Sequence, residues 1–180
     1  MLNDLILKPL TLGLWCFLYA IKNNYVCGGE IKNTDTDVFI YLLHNGFTKI
    51  TENLFEDAAD FCQKNNISQD EAKLFLLEFI SLNFRPLELL PSGASDEKAH
   101  FNLEWLISIQ SIVHQLSGCD RFYILYSMPL IEAFYYLVQH LKQNDTKNQI
   151  KRRNRIEIDA EIYKRSIELG EKYYNSKYRG

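Results

Sequence analysis

Glycine and proline are scarce, with eight and four copies in 180 residues. Folds built from many short strands use these residues at their turns, so the shortage points to helices. The four cysteines, Cys16, Cys27, Cys62 and Cys119, form neither a C-x-x-C pair nor a zinc-ligand spacing. Cys16 and Cys62 fall within apolar helical patterns, where a free thiol behaves as a small buried hydrophobe. A reducing cytoplasm is the simplest setting.

Motifs that carry chemistry are also missing. The chain has no G-x-x-x-x-G-K-[ST] and no G-x-S-x-G, and Gly28-Gly29 is too short to cradle a phosphate. None of His44, His100, His114 and His140 forms a recognised metal pair with a carboxylate on a predicted helix, though His100 and Glu104 could face each other one turn apart. Two ligands fall short of the three that zinc requires from protein. No catalytic, cofactor-binding or metal residue is assigned, and an enzyme is disfavoured. The apolar run at residues 10–21 is too short to span a membrane. The seven residues at the N-terminus hold Asp4 and no Lys or Arg, unlike a signal peptide.

What is present is an ordinary globular composition, 47% hydrophobic and 24% charged, with an uneven charge distribution. Residues 1–145 hold 10 Lys+Arg against 18 Asp+Glu, a net of −8; residues 146–180 hold 10 against 5, a net of +5. An acidic body therefore carries a basic C-terminal segment, suited to docking on that body, on an acidic protein or on nucleic acid.

Periodicity predicts an all-α, compact multi-helix bundle of about six helices with a charged C-terminal helix. A first helix starts near Thr11, with Leu14, Phe17, Leu18 and Ile21 on one face, and breaks at the "CGGE" from Cys27. A second is capped by Thr34, Asp35 or Thr36, runs through Val38, Tyr41 and Leu42, and stops at Asn45-Gly46. A third starts at Thr51 and turns Leu54, Phe55, Ala58 and Cys62 inward. The fourth opens with a capping box, Ser68-Gln69-Asp70-Glu71, and places Ala72, Phe75, Leu76, Phe79 and Ile80 on one side. A loop over residues 84–100 then joins two helical halves of one domain, residues 1–145. In the second half Asn102 caps a helix through Trp105, Leu106, Ile109, Val113 and Leu116, which looks central and ends at Gly118.

Residues 120–145 read "DRFYILYSMPLIEAFYYLVQHLKQND" and are the most aromatic part of the chain. The first half fits either a short helix capped by Asp120 or a buried strand. Ser127 is the expected N-cap of the next helix, with Pro129 in its first turn and Leu130, Phe134, Leu137, Val138 and Leu141 facing the core. The cluster Phe122, Tyr123, Tyr126, Phe134, Tyr135 and Tyr136 is too wide for one buried helical face, and Phe134 belongs to the core stripe. Tyr123, Tyr126, Tyr135 and Tyr136 form a candidate protein-binding surface, together with Tyr173 and Tyr174 of the amphipathic C-terminal segment, residues 146–180. Covering of this cluster by the C-terminal helix is an equal alternative. The run "IKRRNR" makes Lys151, Arg152, Arg153 and Arg155 the candidate nucleic-acid contacts.

Two pieces carry a family resemblance. "LKPLTLGLWCFLYAIKNNYV" is similar to a "PLTLG" followed by an apolar helix. "NLEWLISIQSIVHQLSG" with "ILYSMPLIEAFYYLVQHL" is similar to a helix, a short connector and an "MPL" helix start. Both resemble small helical morphogenesis proteins of tailed bacteriophages, including tail assembly chaperone-like proteins. The resemblance implies a non-enzymatic protein in the host-cell cytoplasm that binds a tail or tape-measure protein; a homo-oligomer is left open. The alternative is a nucleic-acid-binding or packaging accessory protein that uses the basic segment.

Overall fold

A computed structural model describes residues 5–90 and 103–144, with the backbone alone at 103–105. Among the described residues every regular element is helical, and the single β-type pairing is an isolated antiparallel bridge between Thr11 and Pro129. The described residues form eight α-helices and two 3-10 segments, more pieces than the expected six because short helices stand where connectors were expected.

Thr11 has an extended backbone, and its Oγ1 accepts a hydrogen bond from the Leu14 N–H at 3.2 Å. This cap starts α1 (Leu12–Ala20) where the sequence places it. Leu12 and Trp15 are buried as well as Leu14 and Leu18, so α1 is covered on two sides rather than on one stripe. It also ends sooner than expected. Lys22 adopts a left-handed backbone with φ 60°, and Asn23 then caps a one-turn helix, α2 (Asn24–Cys27). The "CGGE" stretch stops α2, through Gly28 at φ 80°, rather than α1.

Helix α3 (Asn33–Asn45) is the centre of the fold. Nine of its thirteen residues are buried, with every position from 36 to 43 among them, so it is enclosed on all sides. The expected cap is corrected here. Lys32 is the N-cap, while Asp35 lies one turn inside and its Oδ2 accepts from the Lys32 N–H at 2.9 Å. Asp35 also holds α2, accepting from the Asn24 N–H and Nδ2–H. Gly46 ends the helix at φ 69°, as Asn45-Gly46 indicates, and a 3-10 turn (Gly46–Lys49) follows.

Helices α4 (Leu54–Lys64) and α5 (Gln69–Phe84) both pack on α3. Leu54, Ala58 and Cys62 face inward, but Phe55 is 53% exposed, since it lies about 100° of helical rotation from Leu54. Ser68 caps α5 with its Oγ accepting from the Glu71 N–H. Ala72 and Leu76 are buried, with Phe75, Phe79 and Ile80 half-buried beside them. A part-buried polar pair fixes the start of α5: Oδ1 of the buried Asp37 accepts from Nε2 of the half-buried Gln69. Asp37→Ala should cost about 1–2 kcal/mol in a urea melt, because the Gln69 amide is left inside without its acceptor.

The expected loop at residues 84–100 is helical at its start. Phe84 is the last residue of α5, and a 3-10 segment (Arg85–Leu89) follows directly. Pro86 falls in the first turn of that segment, where no N–H is needed, and it is buried together with Leu89. Residues 91–100, His100 and the proposed Asn102 cap lie outside the described residues.

Helix α6 (Leu103–Ser117) ends at Gly118, φ 70°, and packs on α7 (Arg121–Tyr126) and α8 (Leu130–Gln143). Leu106, Ile109 and Val113 are buried, but Ile107 and Leu116 are exposed, so the central role belongs to α3 and not to α6. α7 is a helix capped by Asp120, which settles the helix-or-strand alternative. The N-cap of α8 is Pro129, not Ser127. Ser127 closes α7 instead, its N–H and that of the fully buried Met128 both donating to the Tyr123 carbonyl. Pro129 holds φ −56° and ψ 137°, extended enough to pair with Thr11.

That pairing joins the two stretches that carry the family resemblance. The Leu130 N–H donates to the Leu10 carbonyl at 2.6 Å, locking the "PLTL" of the N-terminal region to the "MPL" of α8. Aromatic rings continue the seam inward. Trp15 and Phe84 lie 4.7 Å apart between centroids, and Phe84 and Phe134 5.0 Å. Residues on both sides of the 84–100 stretch thus share one core.

Candidate protein-binding surface

Helix α7 is six residues long and keeps only Ile124 fully inside. Its geometry follows from its cap. Asp120 Oδ1 accepts from the N–H groups of Phe122 at 2.7 Å and Tyr123 at 3.3 Å, which sets the turn. With Ile124 pinned in the core, the 100° step per residue sends Phe122, Tyr123 and Tyr126 outward. They are 71%, 45% and 42% exposed.

These rings belong to a connected line. Phe122 and Tyr126 are 4.6 Å apart between centroids; Tyr126 meets Phe47 edge-on at 5.2 Å; Phe47 meets Phe17 edge-on at 6.0 Å. The line thus draws on α7, the turn after α3, and α1. Gly13 makes the close approach of α1 and α7 feasible. A Cβ there would stand 2.8 Å from the Leu125 carbonyl oxygen and 3.0 Å from two Tyr126 ring carbons.

The candidate tyrosines are therefore divided. Tyr123 and Tyr126 are on the exposed face of α7, whereas Tyr135 and Tyr136 are half-buried on α8, with Tyr136 packed against the core. Phe134 is fully buried, as its place in the apolar stripe requires. Tyr173, Tyr174, Lys151, Arg152, Arg153 and Arg155 lie outside the described residues. Phe17 and Phe47 are the contributors that sequence spacing misses, because only the tertiary fold brings them beside Tyr126. Gly13 costs helix propensity within an apolar helical pattern, and the structure supplies the reason in its close approach to α7.

Elsewhere the reactive side chains have structural surroundings. All four cysteines are free thiols. Burial pushes the Cys16 thiol up to about 11, and burial followed by the nearby Asp37 raises Cys62 as well, so both stay protonated at neutral pH. His114 Nδ1 lies 2.8 Å from the Cys119 carbonyl and His44 Nδ1 3.1 Å from the Ile6 carbonyl, so each ring ties neighbouring backbone. Among the described residues no three His, Cys, Asp or Glu side chains are grouped to hold a metal ion, and no helix is long and apolar enough to cross a membrane.

No protein-family model matches the chain, and no curated protein or solved structure matches it either.

Proposed function

We propose that this chain is a non-enzymatic adaptor or assembly chaperone that binds another protein through the aromatic face of α7, acting in tailed-phage morphogenesis in the host cytoplasm. The observation that carries this reading is the exposed trio Phe122, Tyr123 and Tyr126 on a helix held rigidly by Asp120, Ile124 and Gly13. Aromatic side chains with a fixed backbone make large contacts at small entropic cost, and they are enriched among the residues that dominate binding energy. Tyr173 and Tyr174 extend the same reading to the C-terminal segment. The resemblance of the "PLTLG" and "MPL" pieces supplies the biological setting and the partner class, a tail or tape-measure protein.

The test is co-purification with the tail-tube and tape-measure proteins of the same phage, followed by titration of the one retained. Tyr123→Ala with Tyr126→Ala should weaken binding by about 30-fold or more, the size expected when a hot-spot residue is lost. Tyr135→Ala, on a half-buried site, should act through stability instead. Unchanged affinity in the α7 double variant would overturn the reading.

The cluster Lys151, Arg152, Arg153 and Arg155 favours a second reading, nucleic-acid binding. That reading requires an affinity that falls steeply as salt rises, since each neutralised phosphate releases a counterion. The absence of any complex at low salt would eliminate it.

A further inference from the structure

The outward face of α5 is not that of a solvated helix. Leu74 is 70% exposed and Leu77 49% exposed. At 100° per residue, Asp70, Leu74, Leu77 and Ser81 fall within about 60° of one another, with Glu71 and Glu78 alongside. All six are exposed. The inward side is complete without them, formed by Ala72, Leu76 and Asn83. Two leucines therefore sit in the middle of an acidic outer stripe. Across residues 51–84, which hold α4 and α5, seven carboxylates stand against two cations, a net of −5. Phe55 adds a further exposed apolar ring on α4.

The matching chemistry is in this same chain. Residues 147–155 contain Lys147, Lys151, Arg152, Arg153 and Arg155 and no carboxylate, a net of +5. Ile150 lies within this run, and Ile156, Ile158 and Ile162 follow it. The stretch follows α8, which packs directly on α5. From Asn144, the six steps to Ile150 span up to about 20 Å when extended. That is about the length of α8 itself, so the tether from Asn144 can run back along the helix on which α5 packs.

We propose that residues 146–173 dock in cis on the outer face of α5, their isoleucines covering Leu74 and Leu77 and their cations lying against Asp70, Glu71 and Glu78. Charge selects this face over the aromatic face of α7. The elements around that face, α1, the Gly46–Lys49 turn and α7, carry Lys49 and Arg121 and no carboxylate except the capping Asp120. A basic segment is repelled there and attracted to α5. The α7 rings consequently stay open whichever protein binds them, and the inference stands independently of that partner.

A photo-crosslinking residue at position 74 of the full chain tests this, because position 74 is exposed and its replacement leaves the core intact. The expected product is a bond within one chain to a peptide from residues 146–173, with a yield unchanged on about hundredfold dilution because a tethered segment has a fixed effective concentration. Reversing Lys151, Arg152 and Arg153 to Glu should lower that yield about tenfold, and adding Asp70→Lys and Glu78→Lys should restore it. Crosslinked dimers whose yield falls on dilution would assign the face to a second copy and overturn the proposal. Crosslinks confined to residues 1–145, or a yield indifferent to the charge reversal, would overturn it as well.

Discussion

Phe134→Ala is expected to lower stability by about 3–5 kcal/mol, the range for truncating a large, fully buried aromatic side chain. Phe134 is 0% exposed, and its ring is tilted against that of Phe84 at 5.0 Å between centroids; Phe84 in turn lies 4.7 Å from Trp15. Truncation removes the apolar surface of the ring and leaves a cavity where α1, α5 and α8 converge. The walls cannot close on it easily, because the Leu130 N–H bond to Leu10 fixes one end of the seam and buried Pro86 and Leu89 help to fix another. Urea melts followed by far-UV circular dichroism should show a lower midpoint. Phe122→Ala, from a side chain 71% exposed, should change stability by no more than about 0.5 kcal/mol and serves as the control. Similar losses for the two variants would mean that the aromatic seam does not join the halves.

Phe134 also illustrates what the sequence could disclose. Its burial follows from helical spacing with Leu130, Leu137, Val138 and Leu141, a periodicity that depends on neighbours in the chain. Its partners do not follow, because Trp15 and Phe84 are brought to it by packing between distant elements. The same division holds for the helix ends. Thr11, Ser68 and Asp120 each cap a helix with their own side chain, and local chemistry was enough to locate them. Ser127 has an equally suitable side chain but loses its expected role, since Pro129 pairs with Thr11 118 residues away and sets the start of α8. The centrality of α3 was masked for a related reason. Its short run includes Thr36, Asp37 and Asn45, which read as polar until Gln69 and the Tyr41 carbonyl are seen to satisfy Asp37 and Asn45 inside.

The candidate site was legible in composition and not in arrangement. Counting aromatics located residues 120–136, and helical rotation separated Phe134 from its tyrosine neighbours. Which tyrosines are exposed depended on two facts beyond counting: α7 and α8 are separate helices with separate phases, and Phe47 arrives from the turn after α3. Asp120 defines the phase of α7, so Tyr123 and Tyr126 point outward; Pro129 resets the phase for α8, so Tyr135 and Tyr136 turn half inward.

The second large effect is expected at Gly13, where two local rules predict opposite signs. Helix propensity favours Gly13→Ala by about 1 kcal/mol, because alanine has less backbone entropy to lose in α1. The tertiary contact opposes it. The added Cβ would lie 2.8 Å from the backbone oxygen of Leu125, and a carbonyl held within α7 cannot swing aside as a side chain does. We expect the contact to win, with Gly13→Ala destabilising and Gly13→Leu costing about 3 kcal/mol, the upper part of the range for forcing extra methylenes into a closed contact. Tyr126 supplies the means to separate the causes, since two of its ring carbons lie 3.0 Å from the same Cβ. In a double-mutant cycle, Tyr126→Ala should recover part of the loss in the Gly13→Ala chain, leaving the share due to the Leu125 carbonyl. A stabilised Gly13→Ala variant would show that α7 yields and that its aromatic face is not rigidly held. A destabilised one with weaker partner binding would tie the packing of α1 on α7 to the orientation of the rings it supports.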